Sequence, residues 1–178
     1  MTLVDPTATR HDRRAPASGL TRSGPTNLLL VDGMLNKGGN WGRGILDAVE
    51  ALTSDELPTA TVRRHDLDPL RDVDADLWAS ATLDGVDGMI VTAGDCITCT
   101  TRGVRCALAA EATGRPAVII CTAAVIDVVQ ATCATYGAQE LPTIPIGISL
   151  FGRSRAEIAE VVAPELAMLP THLVRDGA

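Results

Sequence analysis

Aromatic residues are nearly missing from this chain, which has one Phe, one Tyr and two Trp in 178 residues. A core without large rings has to be filled by Ala, Val, Leu and Ile, the usual filling of strands buried on both faces of a parallel α/β sheet. Positive charge is also scarce. Fifteen Lys and Arg against 22 Asp and Glu leave a formal charge of −7, so the clustered cations that bind phosphate backbones are absent and no nucleic-acid partner is expected. No run reaches the roughly 18 apolar residues of a membrane span, and the start lacks a basic-then-apolar secretion signal. The expectation is therefore a cytoplasmic protein with no membrane partner. In that setting five cysteines, an odd number, read as free thiols rather than structural disulfides. A chain of this length buries about two-thirds of its unfolded surface, so no disulfide or metal is needed for stability.

What is present is alternation. Residues 1–25, rich in Thr, Arg, Ala, Pro and Ser, read as a disordered or loosely packed arm, and residues 26–175 as one α/β domain. Arg10, Arg13, Arg14 and Arg22 of the arm can meet an acidic neighbour or simply be solvated. Short apolar runs predict strands over 27–31, 61–65, 88–92, 117–121 and 143–148. Helical spacing predicts helices over 41–52, 77–83, 98–113 and 126–136. A final helix over 155–168 is expected to be capped by Ser154, with Glu157 completing a capping box. Strands alternating with helices indicate a doubly wound, mainly parallel sheet of about five strands, Rossmann- or flavodoxin-like. Such sheets bind ligands outside the carboxyl ends of their strands. Three segments fall at such ends: Asp32-Gly33, Gly94 to Cys99, and Cys121-Thr122.

Cys96-Ile97-Thr98-Cys99 stands where a buried strand hands over to a helix. A helix N-terminus presents free N–H groups and positive partial charge, which stabilise the thiolate form that acts as nucleophile. Two sulfurs at this spacing are also close enough for one to resolve an adduct formed on the other. Arg102 and Arg105, about a turn away, can add positive potential. Cys106 and Cys133 read as core, since a free cysteine packs like a small hydrophobe. Cys121, on the strand expected beside the pair, either lines the site or packs the core. A zinc ribbon would need a second pair or matching histidines, and His11, His65 and His172 supply none. A three-thiolate metal site from Cys96, Cys99 and Cys121 is the metal alternative; otherwise no cofactor is predicted.

The loop after the first strand, Asp32-Gly33-Met34-Leu35-Asn36-Lys37-Gly38-Gly39-Asn40-Trp41-Gly42, has neither a dinucleotide glycine register nor a Walker lysine. Its glycines let backbone approach a ligand, and Asn36, Lys37 and Asn40 can bind a carboxylate or amide. Trp41 is either a lid or a core anchor. Asp32 and Asp95 are candidate general acids or bases, and equally suited to turns and caps.

The segment Gly94-Asp95-Cys96-Ile97-Thr98-Cys99-Thr100 resembles the signature of the family named for its selenocysteine-Gly-Ser-Cys motif (UGSC). Through it the chain is similar to the selenocysteine-bearing subunits of glycine and D-proline reductases. The likeness continues through Gly114-Arg115-Pro116-Ala117-Val118-Ile119-Ile120-Cys121-Thr122 and covers roughly residues 88–165. It implies a nucleophile at Cys96 with Cys99 as redox or resolving partner, and hydrogen bonds from Thr98 and Thr100. Cysteine stands where that family has selenocysteine, Ile97 where it has glycine, and Pro145-Ile146-Gly147 where the reductases carry Pro-His-Pro. No segment here replaces their pyruvoyl-bearing partner. The resemblance therefore implies a stand-alone thiol oxidoreductase, lyase or sulfur-transfer enzyme acting on a small polar molecule, with a thiol reductant as partner. The catalytic set it suggests is Cys96, Cys99, Cys121 and Asp95, with Asp32, Gly33, Asn36, Asn40, Trp41, Thr98, Thr100 and Thr122 around the substrate. Two other classes stand beside it. One is an isomerase or lyase with Cys96 and Cys121 as acid and base, like the two-cysteine racemases. The other is a non-catalytic module binding metal or a small molecule. An acidic domain with an open sheet edge can also self-associate as a homo-oligomer.

Overall fold

Apolar runs too short for buried helices become strands here, and the amphipathic stretches between them become the helices that cover both faces. The computed structural model describes residues 25–34, 40–67, 75–94, 96–138 and 141–173. The amino-terminal arm up to residue 24, Asn36, Lys37, the glycines at 38 and 39, and Asp95 lie outside the described residues.

The order is β1 (Asn27–Asp32), α1 (Trp41–Glu56), β2 (Thr61–Asp66), α2 (Ala75–Thr82), β3 (Gly88–Ala93), α3 (Ile97–Ala112), β4 (Ala117–Thr122), α4 (Ile126–Thr135), β5 (Thr143–Ile146), α5 (Arg155–Val162) and α6 (Leu169–Leu173). Among the described residues the five strands form one all-parallel sheet in the order β2-β1-β3-β4-β5. This is the doubly wound, flavodoxin-like arrangement. The chain runs from β1 out to the edge at β2, then crosses back to β3 on the other side of β1. The strand order thus reverses between β1 and β3, where Asp32 stands opposite Thr92.

Alternate residues feed two cores. Leu28, Leu30, Ile90 and Ile120 pack with α1, α5 and α6, while Leu29, Val31, Val91 and Ile119 pack with α2, α3 and α4. Strands buried on both faces explain why they are continuous apolar runs without polar alternation. The edge strand β2 is the exception. Its Thr-Val-Arg-Arg-His-Asp is largely exposed, and an edge carrying arginine resists pairing with a foreign strand.

The ends of several elements differ from expectation, and α1 runs a further turn past residue 52 to Glu56. β5 stops at Ile146 rather than continuing to 148, and its Pro145, which lacks a donor, stays exposed on the outer edge. The last helix is capped by the expected Ser154–Glu157 box, but α-geometry ends at Val162. Pro164 has no N–H for the next helical bond and its ring opposes the carbonyl four residues back, so Ala163–Met168 tightens into a 3-10 turn before α6.

Candidate functional site

The residue that opens α3 is Cys96. Its backbone is extended (φ −149°, ψ 149°), and its side chain serves as the helix N-cap, with Sγ accepting the Cys99 N–H at 3.1 Å. The Cys96 carbonyl accepts the first helical bond from the Thr100 N–H at 3.0 Å and a second from Thr100 Oγ1 at 2.9 Å. Thr100 is buried, so this hydroxyl closes the first turn instead of facing a ligand. The same turn brings the Cα atoms of Cys96 and Cys99 to 5.4 Å, and the two are disulfide-bonded. That corrects the expectation of five free thiols: one cysteine pair is joined and three cysteines are free. Cys96 and Cys99 are both half-buried, with Thr98 and Ile97 exposed beside them. Ile97 keeps 67% of its surface, an unusual exposure for an isoleucine in this well-packed domain.

The other thiols are interior. Cys106 and Cys133 are buried, as expected of core cysteines. Cys121 sits opposite Ala93 of β3, so it is indeed on the strand beside the pair. Its side chain, however, points into the core under α3 and α4 and has no exposed surface. Burial alone pushes this thiol up to about 11. With no exposed surface, this thiol does not line an open site. No three His, Cys, Asp or Glu residues are grouped to hold a metal ion among the described residues.

Across the switch point lies Asp32, the one charged side chain that is buried among the described residues, with 8% of its surface left. Its Oδ1 accepts the Met34 N–H at 3.0 Å and lies 3.3 Å from Thr92 Oγ1, which itself accepts the Gly33 N–H at 3.2 Å. Desolvation raises this carboxyl above the ordinary aspartate range. The Met34 bond opposes the rise, Asp66 adds to it, and Thr92 and Arg43 oppose it weakly. Two glycines make the room. A Cβ on Gly42, in the first turn of α1, would lie 2.0 Å from Asp32 Oδ1, and one on Gly33 would lie 2.3 Å from the Thr92 carbonyl oxygen. The Met34 methyl in turn covers Gly94, 2.8 Å from where its Cβ would be, with the Thr122 methyl at 3.3 Å. Asp32, Met34, Gly94 and half-buried Thr122 are therefore neighbours at the carboxyl ends of β1, β3 and β4.

Of the remaining residues named from sequence, Asn40 is exposed at the start of α1 and makes no side-chain cap bond. Trp41 is half-buried against the α1-side core, an anchor and not a lid. Arg105 lies over the Tyr136 ring, 5.4 Å from its centre, while Arg102 Nε is buried with no hydrogen-bond partner. Sequence reasoning missed Thr92, for which a hydroxyl ending an otherwise apolar strand was the available signal, and read Gly42 only as a loop glycine that admits a ligand, whereas it lies in α1 and admits the Asp32 carboxylate. A separate cavity of about 330 Å³ lies along β2, lined by Leu29, Arg63, Arg64, His65, Ala81 and Thr82. Its arginines are already engaged, Arg64 with Asp47 and Glu50 and Arg63 with the Thr82 carbonyl.

Fold and site together define a flavodoxin-like α/β domain with a cysteine pair at the strand-to-helix bend next to its switch point. The UGSC family model matches residues 2–174, and the chain belongs to the UGSC family. No curated protein matches it. No helix among the described residues is long and apolar enough to cross a membrane.

Proposed function

We propose that this protein is a thiol enzyme in which Cys96 attacks a small polar organic molecule and Cys99 resolves the adduct. The observation that carries the reading is the N-cap geometry: the Cys96 sulfur accepts the Cys99 amide at the start of a 16-residue helix, with the second sulfur in bonding reach. A thiolate at that place is stabilised by the amide and by the helix terminus. Family membership and the likeness of the cysteine segment to the reductase subunits support it further.

For reductive cleavage the Cys96 thiolate attacks the carbon of R–X, and the carbon–heteroatom bond breaks to give a thioether and X, which leaves as HX. Cys99 then attacks the Cys96 sulfur, and the carbon leaves as RH once protonated. The sum is R–X plus two thiols giving R–H, HX and the Cys96–Cys99 disulfide, which a dithiol reductant returns to thiols. In sulfur transfer the Cys96 thiolate takes the sulfane sulfur of a thiosulfonate-type donor to form a persulfide, the donor's sulfinate leaving, and Cys99 then attacks the Cys96 sulfur, releasing hydrogen sulfide and forming the same disulfide. The isomerase reading loses its second acid–base group, because Cys121 is buried.

An α-substituted carbonyl probe tests the order of events. With dithiothreitol present, wild type should turn over to the reduced carbonyl. Cys99→Ser should stop at a covalent adduct on Cys96, seen by intact-mass and fragment spectra, and Cys96→Ser should be inert. Turnover by Cys96→Ser, or an adduct found on Cys99 with Cys96 present, would reject the proposal.

A further inference from the structure

The first turn of α3 is uneven in what it shows to solvent. Cys96 and Cys99 are half-buried, whereas Ile97 and Thr98 between them are exposed, Ile97 to 67% of its surface. Ile97 follows Cys96 directly and joins neither apolar core, so the packing of the domain gains little from an isoleucine there. Exposed Ala123 and Ala124 follow Thr122, whose methyl packs against Gly94 two residues before Cys96. Apolar side chains left open around a disulfide suit contact with a second macromolecule; a small thiol gains nothing from them. The disulfide is also asymmetric. Cys96 Sγ accepts the Cys99 N–H at 3.1 Å at the helix N-terminus, so Cys96 leaves as a stabilised thiolate. Thiol exchange is faster when the leaving sulfur is the better stabilised one, which directs attack to the Cys99 sulfur.

We infer that the reductant of the Cys96–Cys99 disulfide is a dithiol protein, which docks over Ile97 and attacks the Cys99 sulfur. The inference rests on the proposed function in taking this disulfide as the end state of turnover. In balance, a thiolate of the partner bonds to Cys99 Sγ, the Cys96–Cys99 bond breaks, and Cys96 keeps the electron pair as a thiolate. The partner's second thiol then attacks the partner sulfur of the mixed disulfide, and Cys99 leaves with the proton that this thiol loses. The pair gains two electrons and the partner is oxidised to its own disulfide. Ile97 holds the partner before the exchange and takes no part in the chemistry.

Thioredoxin, kept reduced by its reductase and NADPH, serves as the protein probe, with dithiothreitol at equal dithiol concentration as the small one. Oxidised wild type should be reduced faster by thioredoxin. Ile97→Ser should slow that reaction about 10-fold, the effect of one lost isoleucine contact, with the dithiothreitol rate changed less than about twofold. A second readout uses the wild-type chain. Thioredoxin whose second active-site cysteine is replaced by serine should be captured on Cys99, with N-ethylmaleimide then found on Cys96 by peptide mass spectrometry. Thioredoxin no faster than dithiothreitol, an Ile97→Ser effect equal on both reductants or absent from both, or capture on Cys96 would overturn the inference. The assay contains no substrate, so these results leave the attack of Cys96 on an organic molecule standing. Loss of that attack with reduction proceeding as expected would remove the proposed function alone.

Discussion

Asp32 and Gly42 show how much a single side chain can demand of a fold. A methyl group on Gly42 would overlap the carboxylate, so Gly42→Ala should cost about 1–3 kcal/mol, the usual range for overpacking. The penalty should shrink in an Asp32→Ala background, where the clash is gone, and urea melts of the four proteins in this cycle measure it. The raised carboxyl makes a separate prediction about pH. A group whose folded pKa exceeds its unfolded value of about 3.9 favours folding below that value, and the benefit is lost as pH rises through the folded pKa. Asp32→Asn, which keeps an acceptor for Met34 and cannot ionise, should therefore be more stable relative to wild type at pH 7 than at pH 4 in thermal melts. Asp32 was legible as a candidate acid or base at a strand end, but its burial and its contact with Gly42 were not. The Asp32–Gly42 contact joins the end of β1 to the first turn of α1, and no local pattern reports that a particular glycine admits a particular carboxylate. Cys121 is a related case. Its strand was legible, but whether its thiol meets the site or the core depends on which face of β4 it occupies.

Elements were more readable than side chains, because their signals are local. The run Gly88–Ala93 is buried throughout and apolar but for Thr92, the pattern of a short strand covered on both faces. α3 and α4 end where Gly114 (φ 86°) and Gly137 (φ 72°) take left-handed backbone that other residues rarely adopt. The Ser154 box was visible as a serine with glutamate three residues on, and both reciprocal bonds form. Ser154→Ala removes the cap and should lower stability by about 1 kcal/mol, measured as a shift in urea midpoint with unchanged slope. Less readable was the end of that helix. Periodicity continued to residue 168, and only the backbone chemistry of Pro164 explains the earlier stop. The cysteine turn at the start of α3 was legible as a strand-to-helix bend, whereas the disulfide was not, since thiol spacing alone does not fix a redox state.

At the scale of the molecule, composition already indicated a parallel α/β sheet, but not the order of its strands. That order decides which loops meet. Because β1 and β3 are neighbours and β2 is outside, the segments after β1 and β3 meet, and Met34 packs over Gly94 two residues before Cys96. With β1 and β2 both on one side of β3 in sequence order, the same residues would be separated by a strand. In the reduced protein the proposed chemistry requires an ionised Cys96 sulfur at the N-terminus of α3. The most direct measurement is the pH dependence of iodoacetamide labelling at each cysteine of the fully reduced, folded protein, resolved by peptide mass spectrometry. Cys96 is expected to be labelled fastest, with a midpoint clearly below the free-cysteine value of about 8.5, and Cys121 to stay unlabelled until the protein unfolds. A Cys96 midpoint at or above the free-cysteine value, or labelling no faster than that of the buried thiols, would contradict it.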